Sequence, residues 1–166
     1  MQSSTTWKES CRQFGLQRLA IAAQAKTTED WQELWKAPAH PYPFTWGPCW
    51  KQCTEYRVDD YAAELGFFVD ILGLECNALG NDFAMLTNQT GDFYFAIRPC
   101  EEGLSTPPDA LNLQFMLSNI QETASRLEQR GIVFEKPVQS YEPNSPMLTG
   151  TFRTPHGIAV DLWGMI

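Results

Sequence analysis

The chain has 166 residues, of which 43% are hydrophobic and 19% are charged, and these values are typical of a globular protein with a sizeable core. Its net charge of −8, from 12 basic and 20 acidic residues, argues against a general affinity for nucleic acids or anionic membranes. No apolar run approaches the roughly 20 residues that span a bilayer. We therefore expect neither nucleic acid nor membrane among its partners.

The N-terminal residues 1–48 are predicted to form an arm. Residues 1–36 have helical periodicity, and residues 37–49 are rich in proline and aromatic side chains, which excludes a regular helix or a central strand. The first residues lack the pattern of a secretion signal and the five cysteines are an odd number, so we expect free thiols and a cytoplasmic protein. The arm could cover its own domain or dock on a second protein, and the sequence leaves both open.

A unit of one strand, one helix and three strands is predicted next. Residues 53–59 alternate as a strand does, and the helix-period stretch that follows Asp60 ends at Gly73, a glycine suited to helix termination. Three short strands follow, separated by turn residues, and are predicted over 74–80, 82–88 and 92–99.

The same order of elements returns after a loop at 100–109. Asn119 then takes the place of Asp60, and Gly131 takes the place of Gly73. An internal repeat dictates the architecture. We predict an α+β domain over 49–166, in which two βαβββ modules, about 49–100 and 110–166, form a curved mixed sheet around one cleft.

Two segments of the repeat resemble the vicinal oxygen chelate superfamily, which includes glyoxalase I, bleomycin-resistance proteins and extradiol dioxygenases. The first is VDDYAAELGFFVDILGL at 58–74, and the second is TPHGIAVDLW at 154–163. The resemblance spans residues 53–163 and leaves the arm outside it. It implies that any ligand or metal lies in the cleft.

Metal-using members of this superfamily carry His, Gln or Glu at four strand positions facing the cleft. The resemblance places Cys53, Phe95, Asn112 and Asp161 at these positions. Divalent metals of this chemistry need three or more nitrogen or oxygen ligands, so we expect no metal and no other cofactor. If a metal were bound, Cys53, Glu55 and Asp161 would be its ligands.

Strand parity predicts which side chains face the cleft, because successive residues of a strand point to opposite sides of the sheet. The predicted ligand-binding residues are polar groups beside an aromatic wall, as a small-molecule pocket requires: Glu55, Arg57, Phe95, Asn112, Gln114, Met116, Asp161 and Trp163. The alternative is that they are the polar residues of a half-solvated antiparallel sheet.

Three functions follow from these observations. The first is a metal-independent small-molecule-binding protein of the glyoxalase/bleomycin-resistance type, with its ligand between the modules. The second is a divalent-metal-dependent lyase, isomerase or dioxygenase with an altered ligand set. The third is an interaction protein that docks through its arm. The sequence names neither ligand nor reaction, and exposed strand edges lead us to expect a homodimer.

Overall fold

A computed structural model of the protein describes residues 4–35 and 41–166. Residues 1–3 and 36–40 of the predicted arm lie outside the described residues. The chain divides into two compact units, Met1–Trp46 and Gly47–Ile166. None of the helices in the described ranges is long and apolar enough to cross a membrane.

The first unit contains two helices, α1 (Ser4–Ala22) and α2 (Thr28–Trp35). The start of α2 is fixed by a reciprocal cap, in which the Thr27 hydroxyl accepts from the Asp30 N–H and the Asp30 carboxylate accepts from the Thr27 N–H. After α2, the rings of Tyr42 and Phe44 meet edge to face at 5.3 Å. The Pro-rich segment thus carries its own aromatic contacts.

The second unit begins with a module built on one four-stranded sheet, here called sheet A. The strand order is β1-β4-β3-β2, with β1 parallel to β4 and the other pairs antiparallel. Its strands are β1 (Thr54–Val58), β2 (Glu75–Leu79), β3 (Ala84–Thr87) and β4 (Tyr94–Pro99).

The helix of this module, α3 (Tyr61–Gly66), continues as a π-helical segment over Phe67–Ile71. Asp60 caps the start of α3 by accepting from the Ala63 N–H at 3.0 Å. Gly73 follows the last turn with φ of 76°, a left-handed conformation that glycine adopts without strain. Both ends of the predicted helix are therefore confirmed, whereas its π-helical second half was not foreseen.

The second module repeats this plan in sheet B, whose strand order is β5-β8-β7-β6 with β5 parallel to β8. A short 3-10 turn precedes it at Pro108–Ala110. Its elements are β5 (Asn112–Leu117), α4 (Ile120–Gln129), β6 (Lys136–Ser140), β7 (Met147–Arg153) and β8 (Ala159–Met165). The predicted α+β class and the two βαβββ modules are confirmed.

The π-helical segment of module one lies between the two sheets. Phe68, which is fully buried, contacts Phe95 of β4 with ring centroids 4.6 Å apart. Its neighbour Phe67 contacts Phe152 of β7 at 6.2 Å. The helix-covered sides of both sheets thus contribute to one hydrophobic core. We call these sides the inner faces and the opposite sides the open faces.

The position of the inner faces decides where the open faces point. Because the inner faces of sheets A and B are turned toward the same helical layer, the two open faces are turned away from each other. The predicted fold class of two βαβββ modules is thus confirmed. Each module presents an open face of its own.

Candidate functional site

The open face of sheet B gathers five of the predicted site residues. In the parallel pair of β5 and β8, Gln114 lies opposite Asp161 and Met116 lies opposite Trp163, with Asn112 two residues before Gln114. The intervening residues of β8, including Val160 and Leu162, are buried on the inner face. Strand parity therefore placed these five side chains correctly.

Asp161 is held in place by two neutral hydrogen-bond donors. Its Oδ2 accepts from the Asn112 side-chain amide at 2.8 Å, and its Oδ1 accepts from the Thr151 hydroxyl at 2.6 Å. Thr151 is 9% exposed and lies opposite Asp161 on β7. In the described ranges, no basic side chain forms a salt bridge with Asp161. The carboxylate is thus oriented while its charge stays uncompensated.

An aromatic pair stands beside this carboxylate. The rings of Trp163 and Tyr141 are 5.2 Å apart and tilted by 57°. The Trp163 Nε1–H is buried and, within the described part of the chain, has no acceptor. A buried indole N–H usually finds a partner, so this donor is an exception. Met116, with 69% exposure, adds a flexible apolar side chain to the same face.

The open face of sheet A carries a different set of groups. Glu55 Oε2 accepts from Arg98 Nε at 3.0 Å, and the Arg98 guanidinium lies 4.8 Å from the Phe83 ring centroid. Arg57 occupies the position opposite Arg98 in the pairing of β1 with β4. This face therefore holds a neutralised ion pair together with the further positive charge of Arg57.

Phe95 was expected on the open face, and the structure corrects this expectation. Phe95 lies opposite Thr54 in the register of β1 and β4, is 4% exposed, and packs on Phe68. The residue on the open face, opposite Glu55, is Ala96. The prediction was one residue out of register, because the strand lies in a continuous apolar run that does not reveal which side is buried.

The residues that would hold a metal do not fit one. Glu55 lies on sheet A and Asp161 lies on sheet B, and no group of three or more His, Cys, Asp or Glu side chains that could hold a metal occurs among the described residues. The three residues that would ligate a metal if one were bound, Cys53, Glu55 and Asp161, therefore do not form one site within the described part of the chain. Glu55 is already paired with Arg98, and Asp161 already accepts two hydrogen bonds.

The Cys53 thiol is also a poor metal ligand. Its partial burial raises the pKa of Cys53, and the nearby charge of Glu55 raises it further. Because the thiolate is the metal-binding form, a raised pKa disfavours coordination at neutral pH.

Three residues of these faces were not found from the sequence. Thr151 contacts Asp161, and Tyr141 contacts Trp163. Arg98 pairs with Glu55. Each is brought to its partner by strand pairing or by a loop. The alternation within one strand carries no signal of such neighbours.

No protein-family model matches the chain, and no curated protein matches it. Solved structures do match. TnmS3, an antibiotic-binding protein from a Streptomyces species, is 17% identical, covers 76% of this chain and 100% of its own, and gives a TM-score of 0.57. A glyoxalase/bleomycin resistance protein/dioxygenase from Alicyclobacillus acidocaldarius is 15% identical, with coverages of 69% and 90% and a TM-score of 0.55.

A possible glyoxalase from Bacillus cereus is 22% identical, with coverages of 69% and 96% and a TM-score of 0.51. At such identities these matches establish the fold. The protein has the glyoxalase/bleomycin-resistance fold, as the repeat and its two motifs predicted. Small-molecule-binding proteins, among them one that binds an antibiotic, use this fold.

Proposed function

We propose that the protein binds a small organic molecule, without a metal ion, on the open face of sheet B. One observation carries this proposal: the carboxylate of Asp161 is fixed by Asn112 and Thr151 beside the ring pair of Trp163 and Tyr141. A few oriented polar groups next to an aromatic wall are what a small-molecule site requires.

The charges of this face indicate the character of the ligand. Asp161 lacks a basic partner in the described ranges, and it stands on the same face as Trp163. A carboxylate near an aromatic ring favours a planar cation, which gains both a charge-assisted hydrogen bond and a cation–π contact.

In this proposal the cleft between modules forms across two copies of the chain. The open face of sheet A in one copy then covers the open face of sheet B in another, as a homodimer with two equal sites allows.

Fluorescence titration with proflavine, a planar cation, tests the proposal. We expect saturable binding in the presence of EDTA, weakened about 10- to 100-fold by Asp161→Asn, which corresponds to the loss of one charge-assisted hydrogen bond. Asp109→Asn is the matched control, since it removes the same charge from an exposed carboxylate in the 3-10 turn.

Two results would overturn the proposal. Equal affinity of the two variants would show that Asp161 does not contact the ligand. Binding that disappears with EDTA and returns with a divalent metal would instead favour a metal-dependent protein.

A further inference from the structure

A cavity lies on the inner side of the modules, away from both open faces. It has a volume of about 180 Å³. Module one contributes Leu72, Leu74 and Phe93 to its wall. Module two contributes residues from β5, α4, β7 and β8, which are Phe115, Leu117, Thr123, Leu127, Phe152, Val160 and Leu162.

The lining of this cavity is almost wholly apolar. Thr123 is its single polar residue, and the Thr123 hydroxyl already donates to Asn119 Oδ1 at 3.2 Å. The rings of Phe93 and Phe115 meet edge to face at 5.6 Å across the module boundary. A charged or strongly polar molecule would lose its hydration here without gaining hydrogen bonds.

The size and accessibility of the cavity suit a small molecule. An apolar cavity of about 150 Å³ is enough to hold benzene, and this one is slightly larger. Leu72, Leu74 and Leu117 are only partly buried, so the cavity has an opening to solvent. A molecule bound here would gain packing contacts with the surrounding side chains.

We propose that this cavity is a binding site for a small, uncharged apolar molecule of about one ring in size. It is distinct from the open-face site, since Val160 and Leu162 line it while Asp161, between them on β8, points to the other side of the sheet. The ligand would contact both modules and fill space between them.

Toluene and benzoate, which share one ring and differ in charge, provide the test. Ligand-observed NMR on the full chain should show saturable binding of toluene and none of benzoate. Leu117→Trp fills the cavity and should weaken toluene binding at least about tenfold. Val133→Trp adds the same side chain at a position that is 85% exposed, and should leave toluene binding unchanged.

Leu74→Trp, at the partly exposed rim of the cavity, is the second filling variant should Leu117→Trp fail to fold. Absence of saturable toluene binding to the unmodified protein would overturn the proposal. So would equal toluene affinity in a folded filling variant and in Val133→Trp, because the molecule would then be bound elsewhere. Neither result depends on whether the open face binds proflavine.

Discussion

Glu64 of α3 accepts a hydrogen bond from the main-chain N–H of His156 at 2.9 Å, so the two modules are joined by a buried carboxylate. His156 lies in the turn between β7 and β8. The other oxygen of Glu64 accepts from the Tyr56 hydroxyl at 2.7 Å, and Glu64 is fully buried. The carboxylate therefore serves as a polar connection within an apolar core, with each of its oxygens satisfied.

Removal of this carboxylate should destabilise the fold. Glu64→Ala leaves the Tyr56 hydroxyl and the His156 N–H without an acceptor, and we expect a loss of about 2–5 kcal/mol in the free energy of unfolding. Urea denaturation measures it. Glu122→Ala is the control, because Glu122 forms an exposed i,i+4 pair with Arg126 and should cost less than about 1 kcal/mol. Equal losses in the two variants would contradict the connection described above.

The same contact predicts a pH dependence. Burial raises the pKa of Tyr56 far above its usual value, and the charge and hydrogen bond of Glu64 raise it further. The folded protein keeps the phenol proton, whereas the unfolded chain loses it near pH 10. This contribution to stability is complete below about pH 10 and falls by about 1.4 kcal/mol per pH unit above it.

Tyr56→Phe removes this titration. Urea denaturation of both proteins between pH 8 and about pH 11 isolates the effect, since the other groups that titrate there are common to both. The stability difference between the unmodified protein and the variant should shrink as the pH rises above about 10. A constant difference over this range would show that the folded state does not hold the Tyr56 proton.

Gly164 marks a close approach between β8 and α4. A Cβ at this position would lie 2.7 Å from Ile120 Cγ2 and 2.9 Å from the Leu117 carbonyl oxygen. Gly164→Ala should therefore destabilise the protein by about 1–3 kcal/mol, the usual cost of overpacking. Gly66→Ala is the matched substitution, because its nearest neighbour is Asp70 Oδ2 at 3.8 Å.

At Gly66, within α3, the added methyl group should raise the free energy of unfolding by about 0.5–1 kcal/mol, since alanine favours the helix. Thermal denaturation of the two alanine variants should shift the midpoint in opposite directions. A neutral Gly164→Ala would show that β8 and α4 are further apart than described.

The proposed two-chain cleft predicts complementation between variants. Glu55→Lys places a positive charge on the sheet A side of every cleft, and Asp161→Asn removes the carboxylate on the sheet B side, so each variant alone should bind the proflavine cation weakly. When the two chains are co-expressed, half of the dimers are mixed and each mixed dimer has one intact cleft. About a quarter of all sites should then recover full affinity.

Affinity tags of two kinds allow the mixed dimers to be isolated. If the mixed dimers bind no better than the parent variants, the two faces do not share a ligand. An unchanged affinity in Glu55→Lys alone would likewise remove sheet A from the site.

The fold was predictable because its signals are local and occur twice. Asp60 and Gly73 bound one helix, and Asn119 and Gly131 bound the other. Parity succeeded on β5 and β8, where polar and apolar residues alternate. It failed at Phe95, where the run from Phe93 to Ile97 is apolar or aromatic throughout and both sides look buried.

The packing of the two modules against each other could not be predicted from the sequence. It depends on Phe67 and Phe68 pointing to different sheets, which the π-helical segment permits. A helix-period pattern does not distinguish an α-helix from one that widens into a π turn. The same contacts place Glu55 and Asp161 on separate open faces. Which of the predicted residues share one site therefore depends on tertiary packing.

The outward-facing sheets have a consequence for measurement. If two copies enclose each ligand, ligand binding and dimer formation are linked equilibria, and each strengthens the other by mass action. The apparent affinity would then fall as the protein is diluted below its own dissociation constant. The concentration of the protein in the cell would therefore act as a regulator of its occupancy.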